Sequence, residues 1–358
     1  MLRITQLAKS ALKKRVTPPF GGVILIWNLT NRCNLYCKHC YAWANREREE
    51  LTLDEIKALI PQLKNEGVKF VILSGGEPLQ REDLFEVAKL LKEAGFKTSL
   101  STNGLLINRD NLPLIKSCFD YVGVSVDGRP ETHDRFRGKD GAFKGAVKAL
   151  ELCLEEGIPA GLRFTLTKAT EQDLPYAFEL ARSLGVPKLY ISHLVYAGRG
   201  TRLTGPEKRR YRSLVEFIVN KSFELLDELT VVTGNNEADA AVLYELFKRR
   251  YPEHAPYLYE SLLNWGGNQA GVRLVNINHK GEVRPDPFFF HSLGSVRERS
   301  FSEIWRGNGL LTRLRERPRR VKGKCESCAY LPVCNGNSRA RAYYATGDYF
   351  GEDPACYL

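Results

Sequence analysis

Three cysteines lie close together in the polar segment "NLTNRCNLYCKHCYAW", residues 28–43: Cys33, Cys37 and Cys40. A structural zinc site would be closed by four ligands, and a catalytic zinc site usually includes histidine or carboxylate. A cube of four irons needs four ligands, so three thiolates leave one iron open to bind something else. The spacing therefore predicts an iron–sulfur cluster with one open position. The alternative is zinc with His39 as fourth ligand, although its place inside the Cys-x2-Cys pair would strain the loop.

A second set of cysteines lies near the C-terminus. It is formed by Cys325-x2-Cys328-x5-Cys334 and then Cys356. Four thiolates in a small module suit either zinc or a closed four-iron cluster, and in isolation zinc is favoured. The remaining two cysteines, Cys118 and Cys153, stand in apolar contexts and are expected to be buried free thiols.

The elements that must position these residues alternate between residues 22 and 230. Six apolar strand candidates are separated by amphipathic helices such as "LTLDEIKALIPQLKNEG", which opens with a capping box from Thr52 to Glu55. The strand candidates are "GVILIWN", "VKFVILS", "FKTSLS", "YVGVSVD", "IPAGLRFTLT" and "PKLYISHLV". This alternation predicts an α/β fold with a parallel sheet curved into a partial (β/α)6 barrel similar to a TIM barrel.

Beyond about residue 230 the alternation stops. A helix-like stretch is followed by "VRLVNINHKGEVRPD", which predicts a β-hairpin, and by a short helix around "FSEIW". We therefore expect an N-terminal extension at 1–21, the partial barrel at 22–230 and a small iron–sulfur domain at 231–358.

The loops that follow the strands share one rim of a parallel barrel, and sites are built there. After successive strands come the three-cysteine loop, "SGGEP", "STNG" and "SVDG". The two glycines would allow close backbone approach to a ligand, and a carboxylate beside them could bind an ammonium group. The alternative is a set of ordinary surface turns. The candidate ligand-binding residues are Gly75, Gly76, Glu77, Ser101, Asn103, Ser125 and Asp127.

The three-cysteine loop, in this position after the first strand, resembles the signature of the radical S-adenosylmethionine (SAM) superfamily. The resemblance implies a [4Fe–4S] cluster whose open iron binds SAM, and one-electron cleavage of SAM to a 5′-deoxyadenosyl radical. It also implies that the Gly-Gly-Glu loop holds the amino group of SAM. Arg163, in "LRFTLT", resembles a residue that pairs with the SAM carboxylate in related enzymes.

The C-terminal cysteines resemble those of the SPASM and shorter twitch domains, which carry auxiliary four-iron clusters. The full SPASM pattern has a further cysteine where Ser338 stands, and a pair of cysteines around the hairpin, where this chain offers Asp286 and no thiol. One auxiliary cluster, closed by Cys325, Cys328, Cys334 and Cys356, is therefore expected, unless Cys356 swings away. The chain would hold two [4Fe–4S] clusters in all.

Three segments resemble the siroheme-dependent heme-branch enzymes of the superfamily: "YISHLVYAGRG", "VRPDPFFFHSLGSVRERSFSEIW" and "CNGNSRARAYYATGDYFGEDPACYL". This likeness implies an anionic iron tetrapyrrole, didecarboxysiroheme, whose acetates are removed or whose propionates are replaced. Arginines suited to its carboxylates are Arg199, Arg202, Arg284, Arg297 and Arg299. Histidines that could bind iron or transfer protons are His193, which follows a barrel strand, His279 and His291. The alternative function is modification of a ribosomally made peptide.

Composition limits the partners. The 358 residues carry a formal net charge of +11, which suits an acidic partner or a charged, thermophile-like surface. No apolar run approaches the roughly 20 residues of a spanning helix, and the N-terminal segment has no signal-peptide core. We expect a cytoplasmic monomer that binds neither membrane nor nucleic acid. Its electron would come from a low-potential donor such as ferredoxin or flavodoxin.

Overall fold

The computed structural model describes residues 1–44 and 49–358. Its centre is a ten-stranded sheet in the order β10-β9-β8-β1-β2-β3-β4-β5-β6-β7. The strands are β1 Val23–Thr30, β2 Val68–Gly75, β3 Lys97–Thr102, β4 Tyr121–Ser125, β5 Ala160–Leu166, β6 Lys188–His193, β7 Thr230–Gly234, β8 Leu274–Ile277, β9 Glu282–Arg284 and β10 Gly294–Ser295. The neighbours from β8 through β1 to β7 run parallel, whereas β8–β9 and β9–β10 are antiparallel.

Helices connect the strands and cover the sheet. In the described chain they are α1 Ile4–Leu12, α2 Leu53–Asn65, α3 Leu84–Glu93, α4 Leu112–Cys118, α5 Pro130–Arg137, α6 Ala142–Glu155, α7 Leu174–Ser183, α8 Lys208–Glu224, α9 Asp239–Arg250, α10 Ala255–Trp265, α11 Phe301–Arg306, α12 Gly309–Arg315, α13 Leu331–Cys334 and α14 Arg339–Thr346. Short 3-10 turns lie at Pro78–Gln80, Glu171–Asp173, Gly198–Arg202, Pro252–His254 and Gly323–Ser327. No described helix is long and apolar enough to cross a bilayer.

The predicted α/β partial barrel is confirmed. The six predicted strands are β1 to β6, and α2 begins with the predicted capping box, in which Thr52 accepts from the backbone N–H of Glu55. The predicted hairpin is β8–β9. Two further strands extend the parallel sheet, β7 at one end and β8 beside β1 at the other. The sheet is continuous across residue 230. The predicted division of the chain into a partial barrel and a C-terminal domain at that residue stays a prediction.

The core lies between the sheet and the helices. Strands such as β5 bury Leu162, Phe164 and Leu166 completely on one face, whereas Arg163 and Thr165 on the other face are half-buried. The two predicted free thiols, Cys118 and Cys153, lie in this core. Because β1 to β8 all run the same way, their carboxyl ends meet at one rim, and the predicted site loops lie on it.

Candidate active site

The three-cysteine loop follows β1 and is held as one unit. Cys37 is buried, and Cys33 and Cys40 are half-buried. All three pack in one apolar cluster with Leu35, Ala142 and Leu105. Burial raises the pKa of the Cys33 thiol to about 12, and the neighbouring cysteines add to this effect. Thiols in this environment ionise when a cation takes the place of the proton, which fits a metal cluster bound at this loop.

The "SGGEP" loop approaches the start of the cysteine loop through backbone alone. The N–H of Gly76 donates to the carbonyl of Thr30 at 2.7 Å, and that of Glu77 to the carbonyl of Arg32 at 2.7 Å. A Cβ atom added to Gly76 would lie 2.1 Å from the oxygen of Arg32, and one on Gly75 would lie 2.4 Å from that of Thr30. Both glycines are therefore needed for the close packing of the "SGGEP" loop against the cysteine loop. Their predicted contact with SAM stays a prediction.

We expect Gly76→Ala to displace the cysteine loop, because its Cβ would overlap a backbone oxygen that cannot move away like a flexible side chain. Iron content should fall from about eight toward about four atoms per chain, with SAM cleavage lost. Gly309→Ala, at the start of α12, is the matched control, since a Cβ there meets no described atom within 4 Å. Iron quantification after anaerobic reconstitution measures the effect. Full iron content in Gly76→Ala would contradict it.

Glu77 joins two rim loops. It is fully buried and accepts from Oγ1 of Thr102 at 2.7 Å, from the N–H of Asn103 at 2.8 Å and from the N–H of Leu79 at 3.3 Å. Burial raises its pKa to about 7. The side chain of Asn103 in turn donates to Asn34 Oδ1 at 2.7 Å, which ties the "STNG" loop to the cysteine loop. The predicted bond from Glu77 to an ammonium group stays a prediction, and both carboxylate oxygens already accept protein donors.

Three further candidate residues meet inside the barrel. Arg163 on β5 donates from Nη1 to Ser101 Oγ on β3 at 2.9 Å. Ser125 on β4 is paired with Arg163 in the strand register. The guanidinium also lies 5.0 Å from the centre of the Tyr190 ring. A cationic group with hydroxyl neighbours inside the barrel suits a carboxylate ligand, as predicted for SAM.

Asp127 reaches the cysteines through a residue that the sequence analysis missed. It is fully buried, and its carboxylate accepts from Arg137 Nε at 2.7 Å and from the N–H of Thr165 at 2.6 Å. Burial alone would raise the pKa of Asp127, but the charge of Arg137 and the hydrogen bond from Thr165 lower it. Arg137 Nη1 lies 3.7 Å from the sulphur of Cys37. Asp127 therefore orients a cation against a candidate cluster ligand.

The predicted binding arginines have other roles in this structure, with one exception. Arg199 is buried and donates to the carbonyls of Cys37 at 2.9 Å and Ala44 at 3.1 Å, so it holds the cysteine loop. Arg297 binds Glu55 at 2.7 Å, Arg284 binds Glu282 at 2.8 Å and Arg299 binds the carbonyl of Leu293 at 3.0 Å. Arg202 lies instead 5.5 Å from the centre of the Trp43 ring and lines a cavity of about 370 Å³.

His193 lies in the core. Its Nδ1 is 2.8 Å from the hydroxyl of Tyr211, and its Nε2 is 2.7 Å from Oδ2 of Asp239. The other carboxylate oxygen of Asp239 accepts from the hydroxyl of Tyr357 at 2.6 Å. The proposed catalytic role of His193 stays a prediction, but both ring nitrogens already bind protein groups. His39 stacks on Phe136 at 4.4 Å, and burial lowers its pKa to about 3.

Aromatic side chains form an exposed band at the barrel mouth, which we call the mouth rim. It contains Trp43 of the cysteine loop, Arg202 and the half-buried Tyr196 of the loop after β6, Phe290 after the hairpin, and Tyr344 of α14. Tyr196 and Tyr344 have ring centres 5.1 Å apart, and Phe290 lies 6.3 Å from Tyr344. The rim thus brings together segments from four parts of the chain.

The C-terminal cysteines also come together. Cys325, Cys334 and Cys356 are buried and Cys328 is half-buried. Cys356 lies within electrostatic reach of both Cys325 and Cys334, and Cys328 within reach of Cys325. The tail is fixed next to Cys356, because Tyr357 is bonded to Asp239. Ligation by all four stays a prediction, and the arrangement supports a closed cluster.

The environment of these thiols also fits an anionic cluster. Buried donors with no partner among the described residues include Asn335 Nδ2, directly after Cys334, and Arg339 Nη2. Cluster sulphurs would accept such hydrogen bonds. In the described ranges, no three His, Cys, Asp or Glu side chains are placed to share a single metal ion.

Asp286 stands after the hairpin, where the full SPASM pattern has a thiol. It is buried and accepts from the N–H of Phe288 at 2.8 Å, and burial raises its pKa to about 7. Because its folded pKa lies above the unfolded value, its contribution to stability is present below the unfolded pKa and lost as pH rises toward 7. We expect Asp286→Asn to be more stable than the unmodified protein at pH 8, with little difference near pH 4.

Anaerobic thermal unfolding at several pH values between 4 and 8 measures this effect. The amide oxygen of asparagine retains the bond to Phe288, so the variant isolates the charge. A stability difference that does not change with pH would contradict a titrating Asp286.

A parallel α/β partial barrel with a thiol loop at its mouth and a second thiol set beside it defines an iron–sulfur enzyme. Residues 27–196 match the model of the Radical SAM superfamily, and residues 269–329 match SPASM, an iron–sulfur cluster-binding domain. The chain belongs to the radical SAM superfamily and carries a C-terminal SPASM domain. Its cofactors are two [4Fe–4S] clusters and SAM.

Two relatives match nearly the whole chain. A pre-heme d1 synthase from Dinoroseobacter shibae is 41% identical, covering 94% of this chain and 86% of its own length. An Fe-coproporphyrin III synthase from Methanosarcina barkeri is 40% identical, covering 94% of this chain and 88% of its own. Among solved structures, SuiB from Streptococcus suis bound to S-adenosylmethionine has a TM-score of 0.74 at 19% identity, covering 98% of this chain and 80% of its own. The last likeness shows the fold.

Proposed function

We propose that this protein is a radical SAM enzyme of heme or heme d1 biosynthesis that removes or replaces side chains of an iron tetrapyrrole, didecarboxysiroheme. The observation that carries the proposal is the identity of 41% and 40%, over almost the full chain, to two enzymes named for tetrapyrrole products. The peptide-modifying alternative has weaker support, since a PqqA peptide cyclase from Granulibacter bethesdensis is 28% identical.

The mouth rim supports this substrate class. A tetrapyrrole is a flat aromatic ring with carboxylate side chains, and it needs stacking surfaces together with cations. Trp43 and Tyr344 present exposed rings, 47% accessible in each case, and Arg202 both lines the cavity and lies over the Trp43 ring. We propose that the macrocycle lies on this rim with a carboxylate at Arg202.

The chain's own residues would place the substrate next to the radical source. When bound, SAM on the first cluster supplies the radical that abstracts hydrogen from substrate. The ring centres of Phe288 and Tyr41 are 5.0 Å apart, and Tyr41 directly follows Cys40. This aromatic pair therefore lies next to the thiols of the cysteine loop. Arg163 on β5 and Ser101 on β3 would hold the carboxylate of SAM.

We favour removal of acetate groups, giving iron-coproporphyrin III, over replacement of propionates by oxo groups. Incubation of reduced enzyme with SAM and didecarboxysiroheme, followed by mass analysis, tests the proposal and separates the two outcomes. An unchanged tetrapyrrole, under conditions where 5′-deoxyadenosine forms, would favour the peptide-modifying alternative. We also propose a cytoplasmic monomer that receives electrons from a ferredoxin or flavodoxin, since free thiols and reduced clusters need a reducing compartment.

We expect Arg202→Gln to weaken binding of didecarboxysiroheme about fivefold, because an exposed charge pair is worth up to about 1 kcal/mol. Added salt should weaken binding to the unmodified protein and should affect the variant less. Spectral titration at two salt concentrations measures both effects. Lys148→Gln, on the outer helix α6, removes an equal charge as the control. Equal losses in the two variants would show that only net charge matters.

A further inference from the structure

Arg339, the first residue of α14, is a fully buried cation without a carboxylate hydrogen bond in the described chain. Its Nη1 donates to the carbonyls of Tyr349 at 3.0 Å and Gly351 at 2.8 Å, and its Nε to the carbonyl of Asn337 at 3.3 Å. Its Nη2 has no partner among the described residues. A buried charge is costly unless an opposite charge lies close by.

The carboxylate with the strongest electrostatic effect on Arg339 is Asp353, but its hydrogen bonds go to another arginine. Asp353 is bound by the guanidinium of Arg341, through Nε at 3.0 Å and Nη2 at 2.9 Å. Glu237 is buried as well, and burial raises its pKa, which favours the neutral acid. A further buried cation, Arg319, donates to carbonyl and amide oxygens around it. The interior around the C-terminal thiols therefore has an excess of positive charge.

The free face of Arg339 lies beside a candidate cluster ligand. Arg339 is within electrostatic reach of Cys334 and Cys325. The backbone N–H of Gly336 interacts with the sulphur of Cys334. A Cβ atom built on Gly336 would lie 3.2 Å from Arg339 Nη2, so this nitrogen lies against the turn that carries Cys334.

We propose that Arg339 is the counter-ion of the auxiliary cluster and raises its reduction potential. A four-iron cluster with four thiolates is an anion, and it gains one more negative charge when it takes up an electron. A fixed buried cation stabilises the more negative, reduced form, because the interior screens charges weakly. The same charge balance explains why a guanidinium can stay buried there.

The test uses the full-length chain with Cys33, Cys37 and Cys40 replaced by alanine, so that the auxiliary cluster is the one measured. Anaerobic titration with dithionite and redox mediators, followed by EPR, gives its midpoint potential. In Arg339→Gln the equilibrium constant for one-electron reduction should fall at least tenfold, which is about 59 mV toward negative potential. Arg339→Lys, which keeps the charge, should stay near the unmodified value.

The double variant Arg341→Gln/Asp353→Asn is the matched control, since it removes a buried ion pair without changing the net charge. Its midpoint potential should differ from that of the unmodified protein by only a small fraction of the shift seen in Arg339→Gln. An unchanged potential in Arg339→Gln would overturn the proposal. If Arg339→Gln fails to hold iron, retention by Arg339→Lys supports the charge role. Loss of iron in both would overturn it, because the carbonyl bonds would then be the function of Arg339.

Discussion

Replacing Cys33, Cys37 and Cys40 together by alanine should abolish formation of 5′-deoxyadenosine and leave the auxiliary cluster in place. Iron should fall from about eight to about four atoms per chain, since one cube loses its three protein ligands. The two thiol sets lie on different loops, one after β1 and one in the C-terminal domain, so loss of the first need not disturb the second.

Product analysis by chromatography and iron quantification measure this result. The control removes the buried thiols Cys118 and Cys153, which lie in the core away from both sets. That variant should keep all of the iron. Continued formation of 5′-deoxyadenosine by the triple variant would show that these cysteines do not hold the SAM-binding cluster.

Loss of the auxiliary cluster should have a different signature. We expect Cys325→Ala or Cys328→Ala to lose tetrapyrrole product while SAM cleavage without substrate persists at a reduced level. The C-terminal domain should also melt at lower temperature, because binding of a metal cluster contributes folding free energy. Cys325 lies within electrostatic reach of Arg339, the first residue of the helix α14 that carries Tyr344, so the mouth rim would be disturbed with the cluster.

Thermal unfolding and parallel assays of 5′-deoxyadenosine and tetrapyrrole product separate these effects. Ser327→Ala, an exposed position between the two cysteines, is the control and should behave like the unmodified protein. Unchanged product yield in Cys325→Ala would show that the second cluster is dispensable for the reaction.

The amino-acid sequence by itself determined the strands, the helices and the loops that follow the carboxyl ends of the strands. Strand and helix periodicity is local, so six strands and the capping box of α2 could be predicted from neighbouring residues. The cysteine spacings are local as well. Parallel strands place their following loops at one rim, and therefore the site's position followed from the order of elements alone.

Only the tertiary structure decided which side chains meet. β8 pairs with β1 across about 250 residues, and no local pattern indicates that pairing. Arg137 was missed because its partners, Asp127 and Cys37, come from other loops. Arg199 was expected at the substrate but holds the cysteine loop, and His193 lies locked between Tyr211 and Asp239. The sequence gives the type and charge of each residue directly, whereas the partner of a buried charge depends on how distant segments pack.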